Sequence, residues 1–271
     1  MTEKLIEFYN LLKTPAELPL PWGAYHILCI VLTVAVAAIL IRLFADADER
    51  VVRVLAFIFW IIIFTLEISK QLQHGLHLVN GELIWKYSWG AFPYQFCSTP
   101  LYIMPLVIFL KDGRTRDYSI VFLATFAMVG GIAVFLTPET VFTRNLFLNI
   151  QTMVHHGTQV FFGAYLAFRY REKLNMSRFF GATGLCLLLA FIALSLNVAG
   201  RELLPMMGIN QSFNLFFISP YQRYIPSALK GLGIEALPYG VFLGGLILIM
   251  FVLAFLVMCV MKGLAKLLRY D

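Results

Sequence analysis

Charged residues are scarce in this chain of 271 residues, of which only 13% are Asp, Glu, Lys or Arg. Soluble domains carry about a quarter charged residues and are about half apolar. This chain is 60% hydrophobic, with a mean hydropathy of +0.81. The composition excludes an ordinary soluble domain and predicts an integral membrane protein. The net charge of +6 does not indicate nucleic acid as a partner, because the placement of so few charges matters more than their sum.

Metal-binding and disulfide patterns are also missing. The four cysteines, Cys29, Cys97, Cys186 and Cys259, lie in separate apolar runs without short spacing, so we expect no zinc site, no disulfide framework and no cofactor. The mildly acidic N-terminus is not followed by a cleavage signal, so no cleavable signal peptide is expected. The absence of an internal repeat disfavours an inverted-repeat transporter. The last apolar run has no central lysine, and Lys230 lies in the outer loop before it, so a retinal Schiff base is disfavoured.

Seven apolar runs are present, each of about 20 residues, the length that a membrane helix needs. They cover residues 24–44, 51–72, 92–110, 118–137, 145–168, 179–199 and 238–261. We therefore predict an all-α polytopic membrane protein with seven transmembrane helices in a single domain, residues 1–271. Residues 1–21 are predicted to form a short amphipathic surface segment. Residues 200–237 are predicted to form a long outer loop that serves as a lid or re-entrant piece.

Lysine and arginine cluster after the first, third and fifth runs and at the C-terminus, which together carry 13 of the 21. They are Arg42, Arg50, Arg53, Lys111, Arg114, Arg116, Arg169, Arg171, Lys173, Arg178, Lys262, Lys266 and Arg269. Because basic residues remain in the cytoplasm, this bias predicts an outer N-terminus, a cytoplasmic C-terminus and a multi-pass protein of the plasma membrane. The sequence does not predict an oligomeric state.

A polar stripe lies in the outer half of the second run. Glu67, Lys70, Gln71 and His74 are spaced i, i+3, i+4 and i+7, which places them on one helix face. An ionisable residue in a membrane span indicates a functional site by default. A structural ion pair between Glu67 and Lys70 is an equally simple interpretation.

The fifth run carries a second polar set at the same predicted depth. Gln151, His155 and Gln159 are spaced i, i+4 and i+8, and Thr152 and His156 form the adjacent face. Membrane histidines commonly make hydrogen bonds between helices. Two in succession, flanked by glutamines, also suit acid–base chemistry.

The third run begins with an irregular polar stretch, residues 92–100, which contains Gln95 and Cys97 between two prolines. The predicted topology puts Cys97 about six residues, or roughly 9 Å, below the outer surface. Asn197 ends the sixth run, and Asn214 follows in the outer loop. A membrane cysteine is usually a packed apolar residue, but the convergence of these polar groups predicts a shared cavity open to the outer leaflet.

The chemistry that suits this set is nucleophilic. A thiol needs a base or a neighbouring positive charge to become reactive, and histidine supplies one when another polar group orients it. We predict Cys97 as the nucleophile, His156 or, as second choice, His155 as the base, and Glu67 or Gln151 as the orienting group. Ser98 and Thr99 are alternative nucleophiles. Substrate-binding positions are predicted at Lys70, Gln71, His74, Gln95, Gln151, Asn197 and Asn214.

The order of these motifs resembles the YwaF-like family of bacterial integral membrane proteins. The matching residues are Glu67, Pro93 to Cys97, Thr137-Pro138-Glu139, His156-Gly157, Asn197 and the strip from Asn214 to Pro220. That family is similar to an animal membrane acyltransferase that remodels ether phospholipids and, more distantly, to androgen-induced-type membrane hydrolases. The resemblance implies that Cys97 carries the acyl group. A histidine is expected in the family where this chain has Gln95, which cannot act as a base.

Two functions are therefore carried forward. The first is a membrane lipid acyltransferase or lipid hydrolase that acts through a Cys–His site, with a membrane lipid as its substrate. The second is a transporter or lipid-binding protein that uses the Glu/Lys/His cluster without covalent chemistry.

Overall fold

The computed structural model describes residues 2–211, 213–225, 231 and 233–268. Within these residues the chain is helical apart from short turns and one two-stranded hairpin. The helices are α1 Thr2–Leu12, α2 Ala24–Phe44, α3 Glu49–Gly75, α4 Pro100–Phe109, α5 Arg114–Phe122, α6 Met128–Leu136, α7 Leu146–Arg169, α8 Met176–Met206 and α9 Tyr239–Leu268. The all-α prediction is confirmed.

Each of the seven predicted runs contains a helix, and five helices are long and apolar enough to cross a membrane. These are α2, α3, the continuous stretch Arg114–Leu136, α8 and α9. The multi-pass prediction is therefore confirmed, while the count of seven spans and the orientation of the termini stay predictions. The third run differs from expectation because Pro100 begins a helix of only 10 residues, after a 3-10 turn over Phe96–Ser98.

Helix α7 is the central element of the bundle, and most of its residues are buried. It contacts α2, α3, α6 and α9. The side chain of Asn145 caps its first turn by accepting a hydrogen bond from the amide of Leu148, as capping asparagines do. A helix surrounded by other helices does not need an apolar outer face. This position explains how α7 can carry amides and histidines.

Helices α5 and α6 are joined without a break by a π-helical segment, Leu123–Ala127. The carbonyl oxygen of Leu123 in this segment lies close to Gly163 of α7. A Cβ atom added to Gly163 would lie only 2.8 Å from that oxygen. A π-helical turn widens the helix locally. The backbones of the π-helical segment and of α7 consequently pack closely in the middle of the bundle.

The N-terminal segment is tied to the ends of two long helices. Lys13 Nζ donates to the carbonyl oxygen of Gln73 at 2.5 Å in the last turn of α3, where a cation complements the helix dipole. The amide of Ala16 donates to the carbonyl of Arg144 at 3.1 Å, just before α7. Burial lowers the pKa of Lys13, because the ammonium group is partly withdrawn from water.

Two details differ from the sequence-based boundaries. Helix α8 continues to Met206, so the predicted outer loop over residues 200–237 begins seven residues later than expected. A hairpin of β1, Leu76–Val79, and β2, Glu82–Trp85, follows α3 in the stretch between the second and third predicted runs. Lys230 and Arg269 lie outside the described residues, as do positions 212, 226–229 and 232 of the predicted lid.

Candidate functional site

Cys97 lies in the 3-10 turn that leads into α4, and it is half-buried. Its carbonyl oxygen accepts two hydrogen bonds from α7, one from His155 Nε2 at 2.8 Å and one from Gln159 Nε2 at 2.5 Å. The turn between two prolines and the polar face of the central helix therefore meet at the backbone of Cys97.

The two histidines use different ring nitrogens, and this difference assigns their protons. A carbonyl oxygen can only accept, so His155 carries its proton on Nε2, which binds Cys97. His156 carries its proton on Nδ1, which donates to the carbonyl of Thr152 at 2.8 Å. The free lone pairs are therefore on Nδ1 of His155 and Nε2 of His156. Both atoms are buried without a hydrogen-bond partner among the described residues.

Glu67 is 5% exposed and is neutralised within its own helix. One carboxylate oxygen accepts from Gln71 Nε2 at 2.6 Å, and the other lies 2.8 Å from Lys70 Nζ. Gln71 Nε2 also donates to the carbonyl oxygen of Ala91 at 2.8 Å. The stripe predicted on the second run therefore contacts the segment that leads into the Cys97 turn.

The predicted orienting role of Glu67 or Gln151 is not what the structure shows. The hydrogen bonds that fix the histidine rings go to the backbone carbonyls of Cys97 and Thr152. Gln151 is buried, and within the described part of the chain its side chain has one long hydrogen bond, 3.4 Å, from the Thr152 hydroxyl. The helix backbone itself, rather than a carboxylate, orients these imidazoles.

His74 lies at the edge of the cluster. It is half-buried, and the charges of Lys70, Lys13 and Glu67 act on its ring. Direct contacts thus join Cys97 to His155, the His155 ring to the His156 ring, and Glu67 to Lys70 and Gln71.

Three predicted substrate-binding amides are used by the protein itself. Gln95, Asn197 and Asn214 each place both the oxygen and the nitrogen of the side chain on backbone groups. Their partners are Asn214 O and Phe216 N for Gln95, Leu215 N and O for Asn197, and Ser219 N and Gln222 O for Asn214. These amides therefore hold the segment 214–222 in place against the turn that carries Cys97.

Sequence reasoning assigned no role to Gln159 and did not consider Tyr87. Gln159 lies one turn after His155 on the same face of α7, a spacing that could have drawn attention to it. The Tyr87 hydroxyl donates to Gln71 Oε1 at 2.7 Å. Tyr87 belongs to the segment after the hairpin, and no periodic signal in the sequence links it to Gln71.

The space around the site is narrow. A small cavity beside His155 is lined by Pro100, Met104 and residues of α3 and α7, and it has room for about one water molecule. A larger cavity of about 330 Å³ lies elsewhere, between residues 16–25 and the first turn of α7. The cavity beside His155 is therefore too small for a lipid-sized ligand in this conformation.

The fold and this cluster define a multi-pass helical membrane protein with a buried cysteine, two histidines and an ion pair at the junction of α3, α4 and α7. The sequence matches the TMEM164 family over residues 21–262. Because the match covers most of the chain, the protein belongs to that family. The more specific assignment to YwaF-like bacterial proteins stays a prediction. No curated protein and no solved structure matches the chain.

Proposed function

We propose that this protein is a membrane lipid acyltransferase or lipid hydrolase that forms a thioester on Cys97. Membership of the TMEM164 family is consistent with lipid acyl chemistry in a membrane. The observation that carries the proposal is the fixed contact between the Cys97 turn and His155 and Gln159 of α7. A nucleophile needs this kind of rigid placement beside a base.

In the proposed reaction, Nε2 of His156 takes the proton of the Cys97 thiol, and the sulfur attacks the ester carbonyl carbon of a phospholipid. The C–S bond forms as the ester C–O bond breaks, and His156 returns the proton to the oxygen of the departing lysolipid. The hydroxyl of a second lipid, or water, then attacks the thioester with His156 again as the base, and the thiol is regenerated.

The remaining residues act on this pair. His155 and Gln159 hold the Cys97 peptide, which makes them positioning residues. The Lys70 ammonium can attract a lipid phosphate. Glu67 holds this lysine through the ion pair at 2.8 Å, and Gln71 holds Glu67 through a hydrogen bond.

The proposal is tested with purified protein and a lipid that carries a fluorescent acyl chain. We expect a labelled adduct that hydroxylamine removes, because thioesters are cleaved by this reagent. The adduct should be absent from Cys97→Ala and retained in Cys186→Ala, a matched half-buried cysteine of α8. An unlabelled wild-type protein, or a label that persists in Cys97→Ala, contradicts the thioester mechanism.

The alternative, transport or lipid binding without covalent chemistry, predicts the opposite sensitivities. A proton-linked or headgroup-binding site requires the Glu67 charge and not the thiol. An acyltransferase should lose activity in Cys97→Ser and keep measurable activity in Glu67→Gln. A transporter or lipid-binding protein should tolerate Cys97→Ser and fail in Glu67→Gln.

A further inference from the structure

Two consecutive phenylalanines near the site have left-handed backbone conformations. Phe216 has φ of 56° and Phe217 has φ of 58°. For a bulky residue this region is a genuine outlier, and such strain persists only where the surroundings impose it. Among the described residues, the other non-glycine positions with positive φ, Trp22 and Asn80, occur singly. The segment around Phe216 therefore requires a specific explanation.

Side-chain amides hold the strained backbone. Gln95 accepts from the Phe216 amide at 3.0 Å and donates to the Asn214 carbonyl at 3.2 Å. Asn197 holds the amide and the carbonyl of Leu215, which is fully buried. Ser219 at the other end is 2% exposed, whereas Phe217 between these anchors is 44% exposed. The segment is thus a short flap with fixed ends and a strained, accessible centre.

The ring of Phe216 lies on the turn that carries the nucleophile. It stacks on Tyr94 with ring centroids 5.8 Å apart and meets Phe96 edge-on at 5.5 Å. Phe96 directly precedes Cys97, and Gln95 belongs to the same turn. The residue that latches the flap and the residue that the flap would protect therefore belong to one rigid piece of backbone.

We propose that Phe216 is a gate that controls lipid access to Cys97, and that Gln95 is the positioning residue that latches it closed. This inference rests on the proposed function for its biological meaning. The closed arrangement agrees with the narrow space at the site, where the cavity beside His155 holds about one water molecule. Opening requires the loss of two hydrogen bonds to Gln95 and releases the strained conformations of Phe216 and Phe217. Asn197 keeps the Leu215 end of the flap attached throughout.

The gate is tested by the rate at which N-ethylmaleimide alkylates Cys97 in the solubilised full chain. Cys29, Cys186 and Cys259 are first replaced by serine, so that Cys97 is the single thiol. Gln95→Leu removes both latch bonds at similar side-chain size, and we expect alkylation to become about ten times faster because the open state is more populated. Phe217→Gly relieves backbone strain in the closed state, and we expect slower alkylation.

Gln211→Leu is the matched control. Its amide also bridges two backbone groups on this side of the protein, Trp89 N and Tyr87 O, but it does not touch the flap. Alkylation should stay within about twofold of the parent, as for a surface change away from such a feature. Equal rates in Gln95→Leu and the parent, or an equal rise in Gln211→Leu, would overturn the gate. General unfolding would expose Cys97 and speed its alkylation. Slower alkylation in Phe217→Gly therefore distinguishes gating from unfolding, even if Gln95→Leu is unstable.

The two proposals fail independently. If the flap variants change the alkylation rate but no hydroxylamine-sensitive acyl adduct forms, the gate is supported and the acyl chemistry is contradicted. An acyl adduct on Cys97 with unchanged alkylation in both flap variants retains the chemistry and removes the gate.

Discussion

At the scale of single residues, the two adjacent histidines of α7 have different tasks because one helix turn gives them different partners. His155 is fixed on the Cys97 carbonyl through Nε2, and His156 is fixed on its own helix through Nδ1. The Nε2 atom of His155 is occupied by its hydrogen bond to Cys97, whereas the Nε2 atom of His156 has a free lone pair. A side-chain amide could replace the tether of His155, but it could not replace a base.

We therefore predict unequal effects of His156→Gln and His155→Gln. Loss of the base should slow formation of the acyl adduct by about 10²–10⁴-fold, the usual range for general base catalysis. Glutamine at 155 can still donate to Cys97, so its effect should stay within about tenfold. Single-turnover rates with the fluorescent lipid measure both variants. Equal losses, or a larger loss at 155, would transfer the role of base to His155.

At the scale of elements, the end of α3 is shaped by the hairpin that follows it. Gly75 is buried under the indole of Trp85, and a Cβ atom on Gly75 would overlap that ring. The stripe of Glu67, Lys70 and Gln71 lies within the last three turns of the same helix. The hairpin thus closes the C-terminal end of α3 beside the candidate site.

Gly75→Ala should consequently destabilise the protein by about 1–3 kcal/mol, as overpacking does. Trp85→Ala removes the ring that causes the overlap, so Gly75→Ala should cost little in that background. Thermal unfolding of the four proteins in a double-mutant cycle measures the coupling. Additive effects of the two substitutions would show that the overlap is not the cause.

At the scale of the whole molecule, the end of the bundle opposite the candidate site is held by a buried arginine. The Arg116 side chain is fully buried and pairs with Glu49 of α3 and, at 2.8 Å, with Asp112. It also donates to the Val107 carbonyl at 2.9 Å, and its guanidinium lies over the Tyr170 ring. One side chain therefore joins α3, α4, α5 and the end of α7.

Arg116→Met should destabilise the fold by about 1–3 kcal/mol, because the carbonyl of buried Val107 loses its side-chain donor and the hydrogen bonds to Glu49 and Asp112 are lost. The matched control is Arg114→Met, which removes the same type of side chain from an exposed position on the same helix. A surface change of this kind should stay within about 0.5 kcal/mol. Unfolding temperatures in detergent report both variants, and similar shifts would show that burial of Arg116 is unimportant.

Orientation is a separate prediction at this scale. Glu82 is exposed on the hairpin, and Arg114 is exposed at the start of α5. In a background that lacks the native cysteines, an impermeant maleimide should label Glu82→Cys from outside intact cells. Arg114→Cys should react only after the membrane is opened. The reverse pattern would invert the topology derived from the basic residues.

The candidate site could be predicted in part. Cys97, the two histidines and the stripe of α3 share a depth that follows from helix length and periodicity, which are local properties. Their contacts depend on which helices are neighbours, and the sequence of a single segment does not determine its neighbours. The backbone contacts of Gln95, Asn197 and Asn214 were not predictable for this reason, and their substrate-binding role stays a prediction. Polarity alone does not distinguish an amide that faces a substrate from one that holds a strained loop.

The sequence by itself determined that this is a helical membrane protein and where most of its helices lie, because length and hydropathy are properties of each segment. It also predicted that polar residues gather at one level of the bundle. The tertiary structure alone decided that the polar α7 is the central helix, that the Cys97 carbonyl is its contact point, and which histidine nitrogen is free. Those outcomes arise from packing between segments far apart in the chain, where burial and hydrogen-bond geometry choose the partner.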